Sequence, residues 1–180
     1  MTILSRVSWN IHRGRGQDGR VDPARTVKVL REEVVAQGTD ILLLQEADEE
    51  RPPHVGILDL AEVADSTGPY HLHGDDRRRW GARRHGFLGV VFFAAPGIEV
   101  EDMVLLDLPG HCHRGAVIVD LRKDDTPLHM IGTHLSLSQM LRVAQMRTLA
   151  QHLFRRAARS TILCGDLNEW RPWGALSTAV

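Results

Sequence analysis

The segment Thr161-Ile162-Leu163-Cys164-Gly165-Asp166-Leu167-Asn168-Glu169-Trp170 constrains the fold of this chain more than any other. Its first four residues are apolar or β-favouring and read as a short buried strand. Gly165 permits a turn, and Asp166 and Asn168 emerge just past the strand's end. A carboxylate and an amide then share one rim. In α/β domains ligands collect outside strand ends, where loops converge polar groups without burying them in the core. Three other apolar segments finish the same way. Ile3 to Trp9 leads into Asn10-Ile11-His12, Ile41 to Leu44 into Gln45-Glu46, and Leu128 to Gly132 into Thr133-His134. One Asn, one Glu, one His and the Asp/Asn pair are therefore candidates for a single cleft.

The intervening sequence supplies the scaffold. Asp22-Pro23 offers an N-cap and a first-turn proline, Val27, Leu30 and Val34 recur at helical spacing, and Gly38 stops the run. Asp40 to Leu44 is continuously apolar after its first residue, the pattern of a strand covered on both faces. Val55 to Ala64 reads as a short amphipathic helix and Tyr70 to His73 as an alternating strand. Gly86 to Phe93, Val100 to Leu106, Gly115 to Leu121 and Leu128 to Gly132 follow as strands in close succession, which implies antiparallel hairpins with turns at Pro96-Gly97, Pro109-Gly110 and Asp124-Asp125. A helix beginning near Ser138 is expected to bury Leu141, Met146, Leu149, Leu153 and Phe154 and to expose Arg142, Arg147, Arg155 and Arg156.

Two basic segments stand out. The glycine-rich loop His12-Arg13-Gly14-Arg15-Gly16-Gln17-Asp18-Gly19 matches no nucleotide-binding spacing and lacks a terminal Lys-Ser/Thr, so a solvated connection and a binding loop stay equally open. Arg77, Arg78, Arg79, Arg83 and Arg84 cluster around Trp80. Such a run is more often a solvated loop, but guanidinium groups there could hold phosphate oxygens while the indole stacks on a base. His111-Cys112-His113 supplies too few ligands for a structural zinc.

With 180 residues, 43% apolar and 25% charged, the chain suits one soluble globular domain. A formal charge of −1 provides no global attraction to polyanions, so any such binding needs a local patch. Cys112 and Cys164 suit reduced thiols rather than a disulfide framework. Without a long apolar run at the amino terminus or a segment of membrane-spanning length, a cytoplasmic protein without a transmembrane segment is expected.

The ordered set Trp9-Asn10, Gln45-Glu46, Gly132-Thr133-His134-Leu135 and Gly165-Asp166-Leu167-Asn168 resembles the endonuclease/exonuclease/phosphatase superfamily of metal-dependent phosphodiesterases, over nearly the whole chain. That resemblance implies a DNase I-like α/β (α+β) two-sheet sandwich with helices on the outer faces. It implies Mg²⁺ or Mn²⁺ at Glu46 with Asn10 beside it, and a water oriented and deprotonated by Asp166. Asn168 would position Asp166 or the phosphate, and a proton-bearing His134 would stabilise phosphate oxygens. Arg114, beside Gly115, matches an Arg-Gly of the family and would orient its segment or approach the phosphate. Gly89 is followed by Val90, which departs from the family's usual Asn or small residue, so no catalytic group is assigned there.

Trp9-Asn10-Ile11-His12-Arg13-Gly14 is more similar to bacterial hydrolases of small or lipid-derived phosphodiesters than to the DNA-repair branch. The substrate stays open among a small molecule, a phospholipid head group and DNA. Family members continue beyond the Asp-x-Asn segment to a late Asp-His pair, whereas no His follows His152 here. The resemblance therefore implies a single domain at residues 1–180 with its C-terminal strands missing. Two expectations follow, a metal-dependent hydrolase or a catalytically weak or inactive phosphate- or nucleic-acid-binding member. Self-association through an unpaired sheet edge is expected with either.

Overall fold

A computed structural model describes residues 3–35, 38–75, 78–81, 83–110 and 114–170. His111-Cys112-His113, Arg77 and the segment Trp173 to Val180 lie outside the described residues.

Among the described residues, eight strands form two four-stranded sheets. The first holds β1 (Arg6–Asn10), β2 (Ile41–Gln45), β3 (Tyr70–His71) and β4 (Val90–Ala94), in the order β1-β2-β4-β3. In the second, β5 (Glu99–Leu108), β6 (Arg114–Lys123), β7 (Thr126–His134) and β8 (Ser160–Asp166) lie in sequence order. The expected run of hairpins is therefore correct only for β5, β6 and β7, which pair antiparallel. The turn at Pro96-Gly97 instead carries the chain from one sheet to the other, because β4 pairs with β2 and β3.

Two parallel pairs interrupt this antiparallel frame, β1 with β2 and β7 with β8. Parallel neighbours need a crossover, usually a helix. The first crossover is α1 (Pro23–Val29), which continues into a π-helical turn at Leu30–Val34. Asp22 caps it, accepting the Arg25 backbone N–H at 3.0 Å. The second is α3 (Gln139–Leu153), preceded by Ser138. Each βαβ unit returns its chain to the same end of its sheet. Asn10 and Gln45 are partners at the first end, and His134 and Asp166 at the second.

Burial explains the layering. Ile41, Leu43, Val90 and Phe92 face Val117, Val119 and Met130 across the space between the sheets. At Gly132 the sheets approach so closely that a Cβ would sit 2.7 Å from Leu43 Cδ2. Val27 and Leu30, with Val63 of α2 (Leu60–Thr67), cover the outer face of the first sheet against Leu42, Leu44, Val91 and Phe93. Leu149 and Met146 cover the outer face of the second against Ile118 and Ile131. β2, fully buried from Ile41 to Gln45, is the strand covered on both faces that its composition demanded.

Helix α3 corrects two expectations. Phe154 is 90% exposed, because the helix ends at Leu153 and the chain turns its ring outward instead of onto the sheet. Arg142, expected outside, is buried: its guanidinium donates to the carbonyls of Ser136 and Leu137 and to Glu169 Oε2 at 3.2 Å. Spacing placed Arg142 on the polar side, but the loops packed against that side supply acceptors that offset its burial. Among the described residues no helix is long and apolar enough to cross a membrane.

Candidate active site

The two βαβ ends face one another, and the residues singled out at the four strand ends meet there. Asn10 Nδ2 donates to Asp166 Oδ2 at 2.8 Å, joining the first sheet to the second across 156 residues of sequence. The amide oxygen of Asn10 accepts the His12 backbone N–H at 2.9 Å, which fixes the amide's orientation.

Asp166 is held from both sides. Its Oδ1 accepts the Asn168 backbone N–H at 3.0 Å, and its carbonyl accepts the N–H of Leu135 at 2.9 Å. Asn168 is buried, and its Nδ2 donates to the Leu135 carbonyl at 2.8 Å. The contact of Asn168 with Asp166 is made by its backbone N–H. Its side chain is spent inside the protein. Gly165 makes the turn possible: its φ is 140°, and a Cβ there would lie 1.8 Å from the Thr133 carbonyl oxygen.

Glu46 leaves β2 by a different device. Its φ is 56°, a left-handed conformation costly for a residue with a Cβ. Two backbone bonds hold it there. Its N–H donates to the Gly89 carbonyl at 2.9 Å, and its carbonyl accepts the Arg13 N–H at 3.1 Å. Gly89, itself at φ 83°, thus contributes through its backbone although its neighbour Val90 offers no catalytic group. The Glu46 carboxylate receives Arg13 Nη1 at Oε2, 2.6 Å away.

His134 stands between the two carboxylates and is only 2% exposed. Arg114 Nη1 lies 2.6 Å from its Nδ1. A guanidinium only donates, so Nδ1 accepts and the ring proton resides on Nε2. Nε2 lies 3.6 Å from Asp166 Oδ2 and 3.9 Å from Glu46 Oε1. Burial, reinforced by the Arg114 charge, pushes the imidazole down to about 4 against the opposing pull of Asp166 and Glu46. The proton His134 bears near neutrality is therefore that of a neutral N–H donor, not of an imidazolium.

A cavity of about 360 Å³ opens beside this centre. Arg13, Glu46, Asp48, Arg84, Arg114 and His134 are among the residues lining it. Burial pushes the Asp48 carboxyl above its ordinary value, with Arg13, Arg84 and His54 opposing. Sequence reasoning missed Asp48 and left Arg13 within an undecided loop. A second carboxylate two residues after Glu46, and an arginine three after Asn10, were the available signals. Of the basic cluster, Arg84 reaches the cavity and lies 6.0 Å from the Trp80 ring, while Trp80 itself, 39% exposed, packs edge-on against Phe87 at 5.8 Å.

The donor chemistry suits a hard divalent cation. Glu46 and Asp166 are carboxylate oxygen donors on one rim, with the Asn10 amide bonded to Asp166 beside them, and Mg²⁺ takes only one or two carboxylates while keeping waters. Glu46 Oε1, 3.9 Å from His134, is the oxygen that faces the centre. Among the described residues no group of three His, Cys, Asp or Glu side chains forms a protein cage, so water would have to complete any coordination.

A model of the Endonuclease/Exonuclease/phosphatase family matches residues 7–179. A search of curated proteins finds no match. Among solved structures, the human Nocturnin catalytic domain with bound sulfate anion is similar at 20% identity and a TM-score of 0.70, covering 97% of this chain and 67% of that one. Truncated Caenorhabditis elegans TDP2 is similar at 19% identity and a TM-score of 0.66, covering 94% of this chain. D. rerio TDP2 complexed with single strand DNA product gives 17% and 0.66 over 93% of this chain. The chain spans 63% of that C. elegans structure and 62% of the D. rerio one. At such identities the likeness establishes a shared DNase I-like fold.

Proposed function

Because the chain belongs to the Endonuclease/Exonuclease/phosphatase family, we propose that it is a phosphodiester hydrolase dependent on Mg²⁺ or Mn²⁺. The observation that carries this reading is the convergence of Asn10, Glu46, His134 and Asp166 from four strand ends onto one rim, with Asn10 bonded to Asp166 at 2.8 Å.

Phosphodiesters resist hydrolysis because their anionic oxygens repel a nucleophile. Glu46, with Asn10 beside it, would hold the cation, and that cation neutralises phosphate charge when bound. Asp166 takes a proton from the attacking water as the oxygen–phosphorus bond forms. Its carboxylate is already aligned by Asn10 and Asn168. His134 presents its Nε2–H to a non-bridging phosphate oxygen, in a buried setting where a fixed donor needs no reorganisation. Arg114 keeps that proton on Nε2 by occupying Nδ1. The bond to the leaving oxygen then breaks, that oxygen takes a proton from solvent as Asp166 returns its own to solvent, and the products are a phosphomonoester and an alcohol.

The test is hydrolysis of bis-p-nitrophenyl phosphate and single-stranded DNA with Mg²⁺, with Mn²⁺ and with EDTA. Turnover is expected only with metal, and Asp166→Asn is expected to lower it about 1,000-fold with an unchanged circular dichroism spectrum. Full turnover in EDTA, or in the folded variant, overturns the assignment. A non-catalytic phosphate-binding protein is the second reading, favoured by the Arg13 pair on Glu46. Phosphate binding by a folded chain that never turns over would select it.

A further inference from the structure

The Glu46 carboxylate already carries a cation of the protein's own. Arg13 Nη1 sits 2.6 Å from Glu46 Oε2, and the same arginine's backbone N–H clasps the Glu46 carbonyl at 3.1 Å. Both residues hold left-handed backbone, at φ 54° and 56°. Such conformations persist only where the surroundings enforce them, so this pairing is built into the two loops. The carboxylate is mostly shielded from water, with 13% of the Glu46 side chain exposed. Left without a counter-charge it would be costly.

Arg13 is nonetheless incompletely used. A guanidinium offers five N–H donors, yet the buried Nε of Arg13 has no hydrogen-bond partner among the described residues. The side chain is 33% exposed and forms part of the cavity wall, which Arg84, Arg114 and His134 also line. Asp48 lines the same cavity. Moving off Glu46 would not leave Arg13 without an anion nearby.

We propose that Arg13 is an exchangeable counter-cation: it neutralises Glu46 until that carboxylate ligates a divalent ion, then turns into the cavity to hold an oxygen of the substrate's phosphate. The proposal rests on the reading of Glu46 as a cation ligand. Two cations on one shielded carboxylate repel strongly at this range, so either excludes the other. Arginine suits the second role because its planar fork matches phosphate oxygens and stays charged throughout. The site would thereby couple the loading of its cation to the readiness of its phosphate-binding group. Arg13 acts here as a positioning and substrate-binding residue and takes no proton.

The experiment is direct measurement of Mn²⁺ affinity, by electron paramagnetic resonance of the free ion, for the wild-type chain, Arg13→Gln and Glu46→Gln. Isothermal titration with inorganic phosphate at saturating Mg²⁺ is run alongside. Arg13→Gln is expected to bind Mn²⁺ roughly tenfold more tightly and phosphate about fivefold more weakly. Glu46→Gln is expected to lose Mn²⁺ binding. Unchanged or weaker Mn²⁺ affinity in Arg13→Gln, with binding still lost in Glu46→Gln, overturns the role of Arg13 and leaves Glu46 as ligand. Mn²⁺ binding that survives Glu46→Gln, or is absent from the wild type, overturns the ligand reading and the exchange together. Tighter Mn²⁺ with unaltered phosphate affinity overturns the second half of the exchange.

Discussion

The two halves of the site are built by the same topology and held by different physics. On the β7/β8 side, the Asp166 carboxylate is held by two neutral donors, the Asn168 N–H on Oδ1 and the Asn10 amide on Oδ2, beside a glycine turn with no space for a side chain. On the β1/β2 side, Glu46 leaves its strand at a strained φ of 56° and its carboxylate is held by an arginine side chain from a neighbouring loop. Neutral hydrogen bonds fix geometry without a charge to trade, whereas an ion pair can exchange one cation for another. On the proposed function, the Asp166 half would hold the base at fixed geometry and the Glu46 half would admit and release the cation.

The largest expected effect comes from breaking the rigid half at its turn. Gly165→Ala would bring a Cβ to 1.8 Å from the Thr133 carbonyl oxygen, so the backbone must shift to admit it. The substitution should destabilise the chain by about 3–5 kcal/mol in urea unfolding. A loss below about 1 kcal/mol would show that this half yields as readily as the other.

Next is a test of whether acid acts on the scaffold rather than on either half. His73, fully buried, accepts the Phe92 N–H at Nε2, and burial pushes it down to about 3. Its folded value lies below its unfolded one, so the unfolded chain binds the proton first and stability falls as pH drops from about 6.5 toward 3. Between pH 7 and pH 5 the loss from His73 should be about 2 kcal/mol. His71 and His85, also pushed down by burial, act in the same direction. Equal urea midpoints at pH 7 and 5 would show that His73 keeps a proton in the fold.

The smallest effect should come from relaxing the loop beside the exchangeable half. His12 is exposed and holds φ 51°, which glycine adopts without strain, and its N–H bond to Asn10 Oδ1 needs no side chain. His12→Gly should shift stability by less than about 1 kcal/mol, because relief of strain offsets the added freedom of the unfolded chain. A loss above about 2 kcal/mol would reveal a contact of the imidazole and erase the contrast with Gly165.

Much of the placement of the strands along the chain was legible because each strand end carries a local signal. The continuous apolar run of β2, the Asp22-Pro23 cap, and Gly165 before Asp166 are local patterns. Local patterns survive in a one-dimensional reading. The limits show at Arg142 and Phe154. Both were judged by helical spacing, and both were decided by what packs against the helix: loop carbonyls drew the arginine in, and the end of α3 turned the phenylalanine out. The same limit left Arg13 as one basic residue in a glycine-rich loop.

The chemistry at each strand end, and the order in which those ends occur, was thus written in the residues alone, since polar residues that interrupt apolar runs must leave the core. Only the tertiary structure decided that the ends of two separate βαβ units face each other. It joined Asn10 to Asp166, placed a neutral His134 between two carboxylates, and gave Glu46 an arginine for a counter-charge. Those relations depend on pairing between residues far apart in the chain, and such pairing is set by sheet packing and loop backbone, which no local pattern encodes.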